Sequence, residues 1–446
     1  MDALSSIMAL FTLGTGVFLT LRLRFFQFTH LSKAIRAPFE RRSRETLGGV
    51  TPFQAMATAL GGSIGTANIA GVSGAIITGG PGAVFWMWLA GLFGMATKLC
   101  EIVLAVKYRD QSASRPVGGP THYILRGIGR RARPLAVLYA VFCCAAGLIG
   151  TAPVQSNTIA LSAAGDSVTL RAVCGVLTAI LTGCVIFGGA KRIGAFSERA
   201  VPFMAALYVC ASAAAIIMHS ERIFPALEAI VTGAFAPRPA AGGLAYAGFM
   251  RAFRVGTARG VYSNEAGVGS GAMAHAGSIE TDPVKQGLFG VFEVFADTIV
   301  MCSLTALVIL TSGVESSLFS SESDGMRLAR MAFEASFGGS AKPFLSVSVL
   351  LFAFTSLVGW SLYGESSAVF LFGGRAVLPY RLIFLLLIPV GAVIDAGSAW
   401  RAGELLNYLM ALPNLFALIM LSDRIKKEVS HYKMFEKSRG KHYNKG

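Results

Sequence analysis

The sequence predicts an all-α integral membrane protein of about 11 transmembrane helices, ten of them in two inverted halves behind one extra N-terminal helix. Three observations carry this. Of 446 residues, 54% are hydrophobic and only 14% charged, where a soluble domain carries about 25% charged residues. Eleven apolar runs, near 5–22, 51–78, 84–107, 135–158, 169–190, 200–219, 244–271, 287–312, 343–364, 378–396 and 403–422, approach the length that crosses a bilayer, about 20 residues. Two of them, 51–78 and 244–271, are interrupted by glycine and polar residues at corresponding places of two halves, which is the sequence sign of an inverted-repeat transporter.

The run 5–22 lacks a basic leader, and Arg22 and Arg24 follow it, so it reads as an uncleaved anchor with its N-terminus outside. Loops 23–50, 107–134, 191–199, 272–286 and 365–377 then fall inside, with the tail from Asp423. Most of the 39 Lys and Arg residues sit there, in clusters such as Arg41, Arg42 and Arg44, then Arg126, Arg130, Arg131 and Arg133, then Lys191 and Arg192, then Lys426 and Lys427. The outside loop 313–342 carries Glu315, Glu322, Asp324 and Glu334. This asymmetry sets the orientation, so the net charge of +15 is a topology signal and calls for no nucleic-acid partner.

The whole chain reads as one multi-pass domain of a plasma (inner) membrane. Residues 1–50 form the extra helix and a cytoplasmic loop, 51–219 the first five-helix repeat, 244–422 the second, and 423–446 a basic cytoplasmic tail. Five is odd, so the halves enter the bilayer in opposite directions. Trp86, Trp88 and Trp400 are expected near the outer face, as aromatic belts are. The seven cysteines fall in apolar runs without a CxxC, and the six histidines show no metal-ligand spacing, so no cofactor is expected. Nothing in the sequence signals an oligomeric state.

The first interruption, Gly61–Gly71, reads GGSIGTANIAG; the second, Gly256–Gly271, reads GTARGVYSNEAGVGSG. Glycine is a poor helix former, and irregular backbone at membrane depth survives only when buried or lining a cavity. Small residues also let membrane helices pack closely, but two such breaks in matching positions favour a site. A half-helix N-terminus suits a carboxylate. The facing C-terminus offers carbonyls to an ammonium group or sodium. The ligands expected are a small zwitterion and a monovalent cation.

The chain also resembles the alanine or glycine:cation symporters. The stretches that carry this are TPFQAMATALGGSIGTANIAG from Thr51, GGPGAVFWMWLAGLFGMATKLCE from Gly79, VKYRD from Val106 and VGGPTHYI from Val117. ARGVYSNEAGVGSGAMAHA from Ala258, DTIVMCSLTALVILTSG from Asp297 and FAFTSLVGWSLYGE from Phe352 complete it. The resemblance implies a LeuT-type five-plus-five fold with one extra N-terminal helix, and uptake of alanine or glycine driven by sodium, less often by protons. It implies substrate contacts at Thr66, Asn68, Gln155, Tyr262, Ser263, Asn264 and Trp360. The sequence departs from the family at Gly61 and Gly62, where alanines are usual, at Ala67, where glycine is, and at Tyr262, where phenylalanine is.

Two further expectations concern charge. Arg259 and Glu265 stand near a helix centre, where charges are costly, and are expected to form an ion pair at an inner gate. Lys98 and Glu101 are expected to snorkel or pair. For the coupling ion, the LeuT-type resemblance sets Thr355 and Ser356 against carbonyls freed near Gly61 and Ile64, an oxygen cage suited to sodium. Thr355 and Ser356 point about 100° apart on a helix, so both cannot serve one face by bonding back to their own backbone. An enzyme would need a nucleophile and base or a metal cluster that the histidines do not supply. A channel would need a ring of like elements, which two unlike breaks do not make.

Overall fold

The apolar runs fold as helices in the computed structural model, which describes residues 2–40, 49–111, 116–165, 167–235, 243–314 and 325–443. The expected clusters Arg41, Arg42, Arg44 and Glu315, Glu322, Asp324 lie outside the described residues. Helix α1 (Asp2–Arg22) leads to two short helices, α2 (Phe26–Thr29) and α3 (Leu31–Arg36). The first broken segment is α4 (Pro52–Ser63) and α5 (Ala70–Gly79); α6 (Gly82–Lys107) and the short α7 (Pro120–Tyr123) follow. Next come α8 (Arg133–Ala145) and α9 (Ala152–Ala164), joined through a π-helical turn, then α10 (Val168–Ile186), α11 (Gly189–Met218) and α12 (Ile223–Phe235). The second broken segment is α13 (Gly243–Asn264) and α14 (Gly271–Ala276). Helices α15 (Pro283–Val294) and α16 (Ser303–Thr311) are continuous through the π-helical stretch Phe295–Cys302. The chain closes with α17 (Gly325–Phe337), α18 (Ala341–Phe372), α19 (Val377–Val393), α20 (Ala396–Met420) and α21 (Ser422–Tyr443).

Among the described residues, nine helical stretches are long and apolar enough to cross a membrane. The two expected spans outside that set are the broken ones, shortened by their interruptions and, in α13, laden with Arg251, Arg254 and Arg259. Three expected loops are corrected. Residues 191–199 are the first turns of α11, 325–337 of the loop 313–342 form α17, and 365–372 extend α18. The basic tail is itself helical, as α21.

Helix α6 is central, with 83% of its most apolar window buried, against 28% for α10 and 33% for α11 and α19. The latter three expose Leu177, Phe203 and Leu386, a surface suited to lipid tails. Helix α13 crosses α6 with almost no side chain between them. A Cβ on Gly256 would stand 2.1 Å from the Ala83 carbonyl oxygen, and one on Gly260 would stand 2.9 Å from the Ala90 Cβ. Trp86 and Trp88 serve such helix contacts more than an interfacial belt. The Trp86 ring meets Phe253 edge-on at 4.8 Å, and Trp88 Nε1 donates to Ser303 Oγ at 2.7 Å.

The helix ends define two faces. On one, ion pairs tie α21 to the core: Asp423 to Arg22, Glu428 to Lys107, and Glu436 to Lys33 at 2.7 Å. The same face holds the start of α4 and the end of α14, where Ile279 N–H donates to the Val50 carbonyl at 3.0 Å. A cavity of about 1060 Å³, bordered by Gly71, Asn157, Arg259, Arg327 and Trp400, occupies the other.

Candidate functional site

Thr51 caps α4 with a reciprocal pair of bonds to Gln54, and Pro52 occupies the first turn, where it costs no hydrogen bond. The helix stops at Ser63; Ile64 and Gly65 are extended, and Thr66–Asn68 make a single tight turn before α5. Close approach dictates the glycine at 65. A Cβ there would stand 2.7 Å from Ser356 Oγ and 3.3 Å from Gln155 Nε2. Ser356 Oγ in turn donates to the Gly61 carbonyl at 3.2 Å and lies 3.5 Å from that of Ile64. Gly61, Ile64, Gly65, Gln155 and Ser356 therefore converge.

Two polar atoms in this region stand out. Thr66 Oγ1 and Gln155 Oε1 are buried and have no hydrogen-bond partner among the described residues. Buried polar groups are nearly always paired, so an orphan pair at a helix break points to a ligand. Thr355 differs from its neighbour: its hydroxyl bonds back to the Leu351 and Phe352 carbonyls, both at 3.0 Å, and only Ser356 turns toward the freed carbonyls.

The second break leaves the helix at Glu265, whose φ of +53° is rare for a side-chain-bearing residue, and continues through Gly267 and Gly269 at φ +98° and +82°. Side chains from outside hold this loop. Glu101 Oε1 accepts from Gly267 N–H at 2.8 Å and from Asn414 Nδ2 at 2.7 Å, while Tyr139 donates to the Val268 carbonyl at 3.0 Å. Lys98 Nζ donates to the Asn264 carbonyl at 3.3 Å. This places a cation at the C-terminal end of α13, where the helix dipole favours one. Neither Lys98 nor Glu101 snorkels; both are fully buried.

Asp297 joins the breaks, and the sequence reading left it out. It sits in the π-helical stretch, 0% exposed. Oδ1 accepts from Asn68 Nδ2 at 2.8 Å, and Oδ2 accepts from Ser263 at 2.8 Å and Thr298 at 2.9 Å. A carboxylate inside an apolar span is itself a functional signal, and that was the available clue. Its partners include two of the expected substrate contacts. Asn68 and Ser263 give their polar atoms to the protein, since Asn68 Oδ1 also accepts from Gly65 N–H at 2.9 Å. Asn264 does the same, its Oδ1 taking Ala266 N–H at 2.9 Å and its Nδ2 donating to Thr298 at 3.0 Å.

The Arg259–Glu265 pair is also corrected. Glu265 accepts from Trp360 Nε1 at 2.7 Å and from Ser270. Trp360, expected on the substrate, thereby spends its one donor on Glu265. Arg259 lies over the rings of Tyr262 and Trp400 at 6.0 and 5.8 Å, and those rings are 5.7 Å apart. Arg259 and Trp400 border the large cavity.

Comparison with known proteins places this architecture. The description "Sodium:alanine symporter family" matches residues 2–445. The sodium/alanine symporter AgcS of Methanococcus maripaludis is 36% identical, over 97% of this chain and 96% of its own. The probable sodium/glutamine symporter GlnT of Bacillus subtilis is 33% identical, over 96% and 88%. The crystal structure of MhsT in complex with L-phenylalanine superposes with a TM-score of 0.58 at 12% identity, covering 87% of this chain and 99% of that one, a likeness of fold that is LeuT-type. With two broken helices meeting at a buried polar centre, and with a family match along nearly its whole length, the chain belongs to the sodium:alanine symporter family.

Proposed function

We propose that this membrane transporter imports a small neutral amino acid, alanine or glycine or both, together with sodium. The observation that carries the reading is the first break, where Ser356 Oγ meets the Gly61 and Ile64 carbonyls beside the orphaned Thr66 Oγ1 and Gln155 Oε1. The oxygens at Gly61, Ile64 and Ser356 take the ion, with Thr355 completing the cage when its hydroxyl turns. Thr66 and Gln155 take the amino acid, while Tyr262 and Trp360 limit its size. Asn68, Ser263 and Asn264 act by holding the backbone that the substrate touches. The two five-helix halves are inverted repeats, with the N-terminus outside and the tail inside.

Each sodium ion entering gains about 2.3 kcal/mol per 100 mV, so accumulation of roughly fifty-fold is available from that potential alone. Proteoliposome uptake is expected to require sodium. Alanine and glycine are expected to compete and leucine not, since one methylene in a closed pocket is worth about 1–3 kcal/mol. Equal uptake of leucine, or uptake driven as well by a pH gradient in sodium-free buffer, would overturn the reading.

Two substitutions separate the subsites. Gln155→Ala removes a bond to a charged substrate group, about 1.5–3 kcal/mol, and is expected to weaken alanine binding between ten-fold and a hundred-fold at unchanged sodium dependence. Ser356→Ala is expected to raise the sodium concentration for half-maximal uptake, and Thr355→Ala to raise it less, because the Thr355 hydroxyl is already engaged with its own helix. Sodium titrations at saturating alanine compare the two; the reverse order would place the cage elsewhere.

A further inference from the structure

A second buried polar chain lies apart from both breaks, on the face that carries Ser278. Ser278 Oγ donates to Gln286 Oε1 at 3.1 Å, Gln286 Nε2 donates to His275 Nδ1 at 2.7 Å, and His275 Nε2 meets Glu293 Oε1. All four side chains are at most 1% exposed, and Glu293 Oε2 has no hydrogen-bond partner among the described residues. His275 belongs to α14, the short half of the second broken helix, while Gln286 and Glu293 belong to α15. The chain is thus a side-chain fastening between a half-helix and a full-length neighbour.

We infer that the Ser278–Gln286–His275–Glu293 chain is a proton-binding site that fastens the half-helix α14 to α15 and loosens it when the proton leaves. The directions of the bonds carry the argument. With Glu293 taken as the carboxylate and Gln286 presenting an N–H to Nδ1, the imidazole in this arrangement carries its hydrogen on Nε2 and is neutral. The group as a whole holds one negative charge with one carboxylate oxygen unpaired, a costly state in a buried place.

One proton from water, added to Nδ1, forms one new N–H bond. If the Gln286 amide turns over, Oε1 accepts that N–H and Nε2 donates to Ser278 Oγ, so no bond of the chain is lost. The result is an imidazolium–carboxylate pair of zero net charge, whose charge-assisted bond is the stronger fastening. The route for the proton is the Ser278 end. There Glu280 N–H donates to Ser278 Oγ at 3.2 Å, and Glu280 and Thr281 are partly or fully exposed.

The surrounding charges permit this. Against the pair pack α6 with Lys98 and Glu101, the segment after it with Arg109, α18 with Tyr363 and Glu365, α3 with Lys33 and Arg36, and α21 with Lys433 and Glu436. Helix α15 itself adds Lys285, Asp297 follows it, and α4 carries no titratable side chain. Tyr363 interacts with Glu293. Arg109 donates to the Ser278 carbonyl at 2.6 Å, which holds the entrance of the chain in place.

The sign follows directly. Because the bound proton favours the docked half-helix, docking is strongest at low pH and weakens as pH rises. Hydrogen exchange in deuterated water tests it on the purified full-length protein in lipid nanodiscs, with neither amino acid nor sodium, so the readout is independent of what is transported. After correction for intrinsic chemistry, exchange over residues 271–278 is expected to accelerate several-fold as pH is raised across the range in which the protein stays folded. One linked proton limits the slope to about ten-fold per pH unit. In His275→Gln the corrected rates are expected to be flat. Should that variant not fold, Glu293→Gln, which removes the carboxylate the imidazolium needs, is expected to flatten them equally. Flat rates in the parent, or a slope that survives in the folded variants, would overturn the site.

Discussion

Asp297→Ala is expected to abolish uptake, with at least a hundred-fold loss in rate at matched protein levels. The substitution leaves Asn68 Nδ2, Ser263 Oγ and Thr298 Oγ1 without their shared acceptor, all in fully buried positions. Each unsatisfied buried donor costs about 1–3 kcal/mol. Asn68 also holds Gly65 N–H, so the disturbance reaches the first break. A shift of about 1 Å at such a place can cost a hundred-fold in rate. Asp297→Asn keeps one acceptor, and the two hydroxyls can rotate to accept from its new amide, so a measurable fraction of uptake is expected to remain. Proteoliposome uptake compares the three proteins. An Asp297→Ala carrier as fast as the parent would show that this carboxylate does not hold the breaks together.

Lys98→Met is expected to destabilise the protein by about 3–5 kcal/mol, the usual consequence of deleting one partner of a buried charge pair. Lys98 interacts with Glu101, Glu265 and Asp297. Among the described residues it is the one ammonium group acting on these three buried carboxylates, and methionine fills its volume while leaving the acids uncompensated. Adding Glu101→Gln removes one of those acids, keeps an acceptor for Gly267 N–H, and is expected to recover part of the loss. Thermal unfolding in detergent of the single and double variants measures both. A single variant that melts with the parent would mean that the carboxylates find their compensation elsewhere.

Glycine and polar residues inside apolar runs were enough to locate both breaks, because backbone interruption is written in local composition. The partners of the breaks were not legible, because they arise from helices far away in sequence. The family resemblance implies a substrate contact at Asn68, and nothing in one dimension shows that its amide also meets Asp297. Arg259 and Glu265 are six residues apart, a spacing that does not share a helix face, and Glu265 moreover leaves the helix at positive φ. Of the two alternatives for Lys98 and Glu101, pairing holds and snorkelling does not, because hydropathy says how apolar a helix is and not whether protein or lipid surrounds it. Helix α6 is surrounded by protein. Adjacent hydroxyls at 355 and 356 divide their roles through rotamer choice, which sequence does not record.

The crossing of α6 and α13 sets a condition on any switch of access. At Gly256 against the Ala83 carbonyl and Gly260 against Ala90 there is no layer of side chains to shear, and nearby the Trp86 ring keys between Phe249 and Phe253 of α13. The two helices are expected to travel as one body. The loop 265–270 is tied into the same body, since Lys98 and Glu101 of α6 hold the Asn264 carbonyl and Gly267 N–H. A switch of access is then expected to move α6 and α13 together, at an unchanged distance from each other.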